Sequence, residues 1–226
     1  IRFIPSIPGL IYSTKKDILY VNLYASNTAN IALENSNVEI SQKTNYPWDG
    51  KVSVGVSPKN ESVFTLKLRV PSWARNEVLP GDLYSYKTVS AAKTSLLING
   101  KSTDFKVDNG YITINRKWKK GDTILLNFPM EVKEVITNEK VEGNNGKVSL
   151  EYGPIVYAIE EIDNPNAFDK ITIGANDTFE VVKEPTLLEG VNTIKTKNFK
   201  AIPYYSWSNR GVGKMKVWIN YEKEKR

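Results

Sequence analysis

The 226-residue sequence contains no cysteine and no histidine. Their absence excludes a disulfide framework, a cysteine nucleophile, zinc sites built from thiolates or imidazoles, and every catalytic triad with a histidine base. It leaves the compartment open, because a secreted chain of this size does not need disulfides. Carboxylate, lysine or tyrosine chemistry remains, as does binding without catalysis.

Long apolar runs are also missing, and no stretch approaches the roughly 18 consecutive apolar residues of a membrane span. The formal net charge is +6, but most basic residues stand singly along the predicted strands. The dense cluster Arg116–Lys120 is interpreted as a solvated strand edge, where lysines oppose aggregation. A nucleic-acid binder would show a continuous basic stripe interleaved with aromatics. Neither a membrane nor a nucleic acid is expected as a partner.

Apolar and polar residues alternate with period two through most of the chain. The alternation is clearest from Phe64 to Val70 and predicts a half-buried antiparallel strand there. Similar short strands recur at a spacing of about ten residues, which is typical of β-sandwiches. The sequence therefore predicts an all-β fold of two antiparallel, jelly-roll-like sandwiches, residues 13–128 and 129–226. Whether the last strand, about 212–221, returns to the first sandwich is left open.

Turn residues agree with this fold class. The pairs Asn99-Gly100 and Asn109-Gly110 each lie beside a predicted strand. Both residue types tolerate positive φ, so these pairs favour tight hairpins. No internal repeat of fixed period is evident.

The first residues have a different character from the rest. Apolar side chains recur at helical spacing over Ile1 to Ile7, but Pro5, Pro8 and Gly9 interrupt the pattern. The sequence starts with isoleucine and shows no signal-peptide pattern. Residues 1–12 are interpreted as a short helical stub, the end of an upstream domain; an ordinary irregular N-terminus is the alternative.

No catalytic residue and no metal site are predicted. The carboxylates Asp49, Asp122, Glu151 and Asp163 lie in turns or at strand ends, where turn formation explains them better than a pair for acid–base catalysis. The loop Asp163–Asp169 gathers oxygen ligands of the kind that calcium prefers. It lacks the glycine and the terminal glutamate of a helix-loop-helix calcium site, so an ordinary surface loop is favoured.

Aromatic residues, 11% of the chain, supply the candidate binding surfaces. Flat aromatic rings stack on sugar rings, but they also pack in cores and between domains. Trp218 lies opposite the apolar face of its predicted strand, which favours contact with a neighbouring domain. The segment from Pro203 to Gly211 concentrates aromatic, hydroxyl, amide and guanidinium groups. The candidates for carbohydrate or interdomain contact are Trp48, Asp49, Tyr204, Tyr205, Trp207, Arg210 and Trp218.

A series of short motifs spans nearly the whole chain in a consistent order. They are Val21-Asn22-Leu23-Tyr24, Asn45-Tyr46-Pro47-Trp48-Asp49-Gly50, Arg69-Val70-Pro71-Ser72-Trp73-Ala74, Trp118-Lys119-Lys120-Gly121-Asp122, Gly153-Pro154-Ile155-Val156-Tyr157, and Ala201-Ile202-Pro203-Tyr204-Tyr205 with Trp207, Asn209, Arg210 and Gly211. In these motifs the chain resembles the C-terminal region of glycoside hydrolase family 127, the β-L-arabinofuranosidase-like bacterial enzymes.

The resemblance implies an upstream (α/α)6 barrel that carries the active site, with a cysteine nucleophile and a zinc ion bound by cysteines and a glutamate. None of those positions is present here, so no cofactor is expected in this chain and zinc is expected only in the barrel. The whole protein would hydrolyse terminal arabinofuranoside-type or related bonds. The sequence does not establish its location, but the resemblance favours the periplasm or the extracellular space. This chain would support the barrel, edge its cleft or mediate homodimer contacts, and would not itself be an enzyme. A free-standing carbohydrate-binding module is the alternative.

Overall fold

The structure, a computed structural model, describes residues 3–222, and its regular secondary structure is almost entirely β-strand. This confirms the predicted all-β class. The strands are β1 Tyr12–Lys15, β2 Ile18–Val21, β3 Asn27–Ala32, β4 Asn37–Thr44, β5 Lys51–Pro58, β6 Ser62–Arg69, β7 Tyr84–Tyr86, β8 Ser95–Ile98, β9 Lys101–Ser102, β10 Val107–Asp108, β11 Tyr111–Trp118, β12 Asp122–Asn127, β13 Val132–Thr137, β14 Lys147–Tyr152, β15 Ile155–Glu160, β16 Thr172–Gly174, β17 Glu180–Glu184, β18 Val191–Lys195, β19 Lys200–Pro203, β20 Met215–Lys216 and β21 Ile219–Glu222.

Between residues 3 and 222, helical structure is limited to single turns. Helix α1 spans Pro8–Ile11, and 3-10 turns span Ile4–Ser6, Ser72–Arg75, Glu142–Asn144, Glu161–Asp163, Phe168–Lys170 and Tyr204–Ser206. No helix among residues 3–222 is long and apolar enough to cross a membrane.

The N-terminal stub is short and helical, as the sequence predicts. A 3-10 turn at Ile4–Ser6 leads into α1, and β1 follows directly. Residues 1 and 2 of the predicted stub lie outside the described residues. The side chains that the helical pattern groups together are exposed: Phe3, Ile4, Ile7 and Leu10.

The chain forms two compact units. Unit 1 comprises Ile1–Arg75 and Ala92–Pro129, and unit 2 comprises Asn76–Ala91 and Met130–Arg226. The chain enters unit 2 for the second time at Met130, one residue after the predicted start of the second sandwich at residue 129. The segment Asn76–Ala91, which lies within the predicted first sandwich, is part of unit 2 because its strand β7 pairs with β13.

Unit 1 consists of two sheets. One has the order β1-β2-β6-β11-β10 and the other the order β3-β4-β5-β12-β8-β9. Every pair is antiparallel except β2 with β6, which run parallel. The alternation predicted from Phe64 to Val70 is confirmed, because Phe64, Leu66, Leu68 and Val70 are buried and the residues between them are not. The two asparagine–glycine pairs are confirmed as tight turns: Asn99, Gly100, Asn109 and Gly110 all have positive φ.

The buried faces of the two sheets form the core of unit 1. Trp118 is completely buried, stacks on Phe64 and donates its Nε1–H to the Phe64 carbonyl at 3.0 Å. A polar contact also joins the sheets, since Gln42 Nε2 in β4 donates to the Tyr12 hydroxyl in β1 at 2.9 Å. The Trp118 indole nitrogen and the Gln42 amide nitrogen thereby avoid the cost of an unsatisfied buried donor.

Three of the motifs converge on one aromatic cluster at the end of unit 1. The rings of Tyr24, Tyr46 and Trp73 all contact Phe128. The Tyr24 hydroxyl donates to the carbonyl of Arg69 at 2.6 Å, and Trp73 Nε1 donates to the Tyr46 hydroxyl at 3.1 Å. The burial that this packing produces raises the pKa of both tyrosines. These motif residues therefore serve packing within the unit.

Unit 2 is one connected set of ten strands. Its main path is β16-β21-β14-β15-β19-β18-β17, while β13 bridges β14 and β7, and β20 pairs with β15. The pairs are antiparallel except β16 with β21. Both strands at the C-terminal end, β20 and β21, pair within unit 2. The core is formed by Val148, Leu150, Ile155, Tyr157, Ile159, Phe168, Ile171, Ile173, Ile194, Phe199, Ala201 and Ile219.

Candidate functional site

The carboxylates of unit 1 that the sequence singles out serve turns. Asp49 Oδ1 accepts the backbone N–H of Lys51 at 2.9 Å. Asp122 accepts from Asn99 Nδ2 at 2.9 Å and from the backbone N–H of Lys119 at 3.0 Å. Burial raises the pKa of Asp122, but these hydrogen bonds hold it below its ordinary value. Such a group stays ionised and fixes the turn.

Glu151 in β14 has a different environment. Its Oε2 accepts a 2.8 Å hydrogen bond from the Tyr86 hydroxyl in β7. Burial raises the pKa of Glu151 in spite of this bond and of the nearby Lys133 ammonium. Lys133 Nζ lies 4.6 Å from the centre of the Tyr86 ring and 3.0 Å from Asn76 Oδ1, to which it donates. The group joins β7 to the body of unit 2.

Asp163 belongs to an ion network in unit 2. Its side chain is 6% exposed and receives Arg210 Nη1 at 2.9 Å and Lys200 Nζ at 2.7 Å. Arg210 also binds Glu160, whose side chain is 8% exposed. Although burial raises it, the hydrogen bonds from Arg210 and Lys200 hold the pKa of Asp163 below its ordinary value. The hydrogen bonds that Arg210 donates to Asp163 and Glu160 raise its pKa above the ordinary value, against the effect of burial.

The network extends to Glu184, which binds Lys195 Nζ at 2.8 Å and lies 3.7 Å from Lys200 Nζ. The hydrogen bond from Lys195 contributes most to lowering the pKa of Glu184, and Lys200 lowers it further. Three carboxylates thus face three cations, and the network is neutral as a whole. We refer to it below as the ion network: Glu160, Asp163, Glu184, Lys195, Lys200 and Arg210.

The loop that gathers oxygen ligands is held by protein contacts. Asn164 Nδ2 donates to the carbonyls of Glu160 and Lys200 at 2.8 and 3.0 Å, and its Oδ1 accepts the backbone N–H of Lys200. Asp169 lies 3.3 Å from Lys214 Nζ. Within residues 3–222 no cluster of three or more histidine, cysteine, aspartate or glutamate side chains is arranged for a metal ion.

The ion network fixes the backbone of the loop that follows β19. Glu160 Oε1 accepts the backbone N–H of Ser208 at 2.7 Å, and Ser208 adopts a left-handed conformation with φ 63°. Asn209 Nδ2 donates to the Ser206 carbonyl at 3.0 Å. Gly211, with φ 117°, ends the loop in a conformation that requires glycine.

This loop presents three aromatic side chains to solvent. Tyr204, Tyr205 and Trp207 are 45, 55 and 39% exposed, while Ser206 between them is buried. We call these three rings the aromatic plate. Four of the seven predicted contact residues therefore lie together: the plate and the Arg210 that holds its backbone.

The other three predicted contact residues lie elsewhere. Trp48 is 49% exposed on a turn of unit 1 beside Asp49. Trp218 is half-buried and stacks on Tyr84 of β7, with ring centres 6.1 Å apart. Its contact lies within unit 2.

Comparison with known proteins gives two consecutive matches, the first of which includes the segment Asn76–Ala91 of unit 2. Residues 18–130 match the profile described as Beta-L-arabinofuranosidase, GH127 middle domain, and residues 132–220 match the glycoside hydrolase family 127 C-terminal domain. The chain belongs to glycoside hydrolase family 127.

Relatives in family 127 are much longer than this chain. The non-reducing end beta-L-arabinofuranosidase of Bifidobacterium longum subsp. longum is 30% identical over 96% of this chain and 35% of its own length. A solved GH127 beta-arabinofuranosidase superposes with a TM-score of 0.90 at 39% identity, covering 98% of this chain and 37% of that one. The GH127 beta-L-arabinofuranosidase of Geobacillus stearothermophilus T6 gives 0.85 at 35% identity, covering 98% and 36%. The chain spans about a third of the length of these relatives.

The residues that hold the loop after β19 in place have no recognisable signal in the sequence. Glu160 and Glu184 lie at strand ends, and Lys200 begins β19, so each has the local pattern of an ordinary strand residue. Arg210 and Asp163 are 47 positions apart. The asparagine, arginine and glycine after Trp207 were the only local sign of an anchored loop.

Proposed function

We propose that this chain is the non-catalytic β-sandwich portion of a family 127 glycoside hydrolase and that it supports the catalytic part of that enzyme. The observation that carries the proposal is the pair of profile matches, which correspond to the middle and C-terminal domains of the family. The coverage supports it, because about two thirds of each relative lies outside the match.

The chemistry of the chain agrees with a supporting role. Each carboxylate singled out by the sequence binds a turn, a tyrosine or a cation. A glycosidase needs two carboxyl groups that face a substrate cleft, one of them as a proton donor. The zinc ion that the family resemblance implies does not fit these residues, because the sequence has no thiol or imidazole ligand.

The proposed substrate class of the whole protein is that of its relatives, which are named as β-L-arabinofuranosidases. The whole protein would then cleave terminal arabinofuranosyl linkages outside the described sandwiches. This chain would hold the catalytic part in place and edge its cleft.

The test is hydrolysis of aryl arabinofuranosides by the purified 226-residue chain and by the full-length gene product that contains it. We expect turnover by the full-length product only. Hydrolysis by the 226-residue chain that a single carboxylate substitution abolishes would contradict the proposal, as would a full-length product without glycosidase activity.

A carbohydrate-binding module is the second candidate, favoured by the exposed indole of Trp48. Exposed tryptophans stack on the apolar faces of sugars. This function predicts that the 226-residue chain binds arabinan oligosaccharides in titration calorimetry and that Trp48→Ala abolishes the heat. The supporting role predicts no heat with either protein.

A further inference from the structure

The aromatic plate combines a large exposed surface with a fixed backbone. Single exposed apolar residues are common on proteins, but here three large rings are exposed within four positions. Flexible loops usually carry such rings at the cost of ordering them on binding. Here Ser208 is held in a left-handed conformation by Glu160, and Arg210 is bound to two carboxylates.

Fixing the loop bears on binding as well as on stability. The rings themselves remain 39 to 55% exposed, so much of their apolar area is not used by the core of unit 2. A surface that is already ordered loses little conformational entropy when it binds. The ion network therefore prepares the plate for a contact outside the core.

The net charge of the ion network indicates which kind of partner the plate can bind. The three carboxylates and three cations of the ion network compensate one another. A ligand on the plate does not have to supply a counter-charge. It should be uncharged and largely apolar.

The size of the plate selects among uncharged occupants. Three aromatic side chains at these exposures offer on the order of 300 Å². A stable contact with a separate protein or a second copy buries about 800 Å² per partner. A smaller contact suffices when the partner belongs to the same polypeptide, because the linkage gives it a high effective concentration.

We propose that the aromatic plate is the surface through which unit 2 docks against the part of the family 127 protein that lies outside this chain, on an uncharged apolar face. The inference rests on the proposed function, which supplies that partner. Aromatic side chains concentrate the binding energy of protein contacts, so a few rings can anchor a domain.

The experiment is hydroxyl-radical footprinting read by mass spectrometry at Tyr204, Tyr205 and Trp207. The 226-residue chain and the full-length gene product are compared under identical exposure. We expect oxidation of all three rings in the 226-residue chain and several-fold protection in the full-length product. Equal oxidation in a full-length product that retains glycosidase activity overturns the docking inference and leaves the proposed function intact; loss of the proposed function is recognised separately, by a full-length product without activity.

A variant pair tests the same contact thermodynamically. Trp207→Ala removes an exposed ring and is expected to lower the melting temperature of the full-length product while leaving that of the 226-residue chain nearly unchanged. Val212→Ser, at a fully exposed position just beyond the loop, is the matched control and should change neither. Equal melting temperatures for the Trp207→Ala and unmodified full-length proteins would overturn the inference.

The remaining occupants are outcomes of two further measurements on the 226-residue chain. In titrations with arabinan oligosaccharides, we expect no binding heat that depends on Trp207. Heat that disappears in Trp207→Ala would show that the plate is a glycan site and not a docking surface. Sedimentation velocity is expected to show a monomer. A dimer that Trp207→Ala dissociates would assign the plate to a second copy of the chain instead.

Discussion

The Tyr86 hydroxyl donates a 2.8 Å hydrogen bond to Glu151 Oε2 and thereby ties β7 to β14, although β7 pairs only with β13. Tyr86 is 8% exposed, and the Lys133 ammonium lies over its ring. One tyrosine therefore joins a three-strand-wide region of unit 2 through its hydroxyl, its ring and its backbone.

Tyr86→Phe should destabilise the chain by about 1–3 kcal/mol, because a partly buried carboxylate loses its donor. The loss should be larger at about pH 8 than at about pH 4, since only the ionised carboxylate depends fully on that donor. Urea unfolding at both pH values measures it. Tyr84→Phe, on the same strand, keeps its stacking on Trp218 and serves as the control with little change. An equal loss at both pH values would contradict the role of Glu151.

Glu151→Gln should flatten the dependence of stability on pH. Burial raises the pKa of Glu151 above its ordinary 4.5, so the folded chain holds this proton more tightly than the unfolded chain. The stability that this proton contributes is fully present below pH 4.5 and is lost as pH rises through the folded pKa. The amide keeps an acceptor for Tyr86 and does not titrate. A series of unfolding curves from acid to neutral pH tests this, and an unchanged slope would refute it.

Arg210→Met should destabilise unit 2 by about 3–5 kcal/mol, since it leaves two buried carboxylates without their shared cation. Lys214→Met is the control: its partner Asp169 is exposed, and the loss should stay below about 1 kcal/mol. The pKa of Asp163 is lowered in the fold, so the effect of Arg210→Met should be full above the ordinary aspartate pKa and shrink as pH falls through the lower folded value. Similar losses for the two variants would show that the ion network contributes little.

Gly50→Ala should destabilise unit 1 by at least about 2 kcal/mol, because overpacking at a rigid site forces the backbone to move. A Cβ atom at Gly50 would lie 1.9 Å from the Phe128 carbonyl oxygen. Gly9→Ala is the matched control. No atom lies within 4 Å of its Cβ position, and alanine in α1 should be neutral or stabilising by up to about 1 kcal/mol. Thermal unfolding of both variants measures the difference, and equal melting temperatures would contradict the close approach.

The elements with local signals were predictable. The alternation from Phe64 to Val70 gives β6, and the asparagine–glycine pairs give two tight turns, because period-two burial and positive φ are properties of neighbouring residues. The short motifs also indicated glycoside hydrolase family 127, which the matches to its middle and C-terminal domains confirm.

Contacts between distant segments were not predictable in the same way. The three-residue strand β7 is too short to show alternation, so nothing marked Asn76–Ala91 as part of unit 2. Trp218 was predicted to contact a neighbouring domain or a sugar; its ring stacks on Tyr84, a pairing that depends on the return of that segment. The fixed backbone beneath the aromatic plate depends on Glu160 and Asp163, which local sequence does not connect to Arg210.

The interleaved chain path has a consequence for synthesis on the ribosome, where segments appear in order from the N-terminus. Unit 1 lacks only Ala92–Pro129 when Asn76–Ala91 emerges, whereas β13, the neighbour of β7, is made later still. Unit 1 can therefore close both sheets while β7 waits with an unpaired edge. The time taken to translate the residues from Tyr86 to Thr137 then sets how long that edge stays open to other nascent chains.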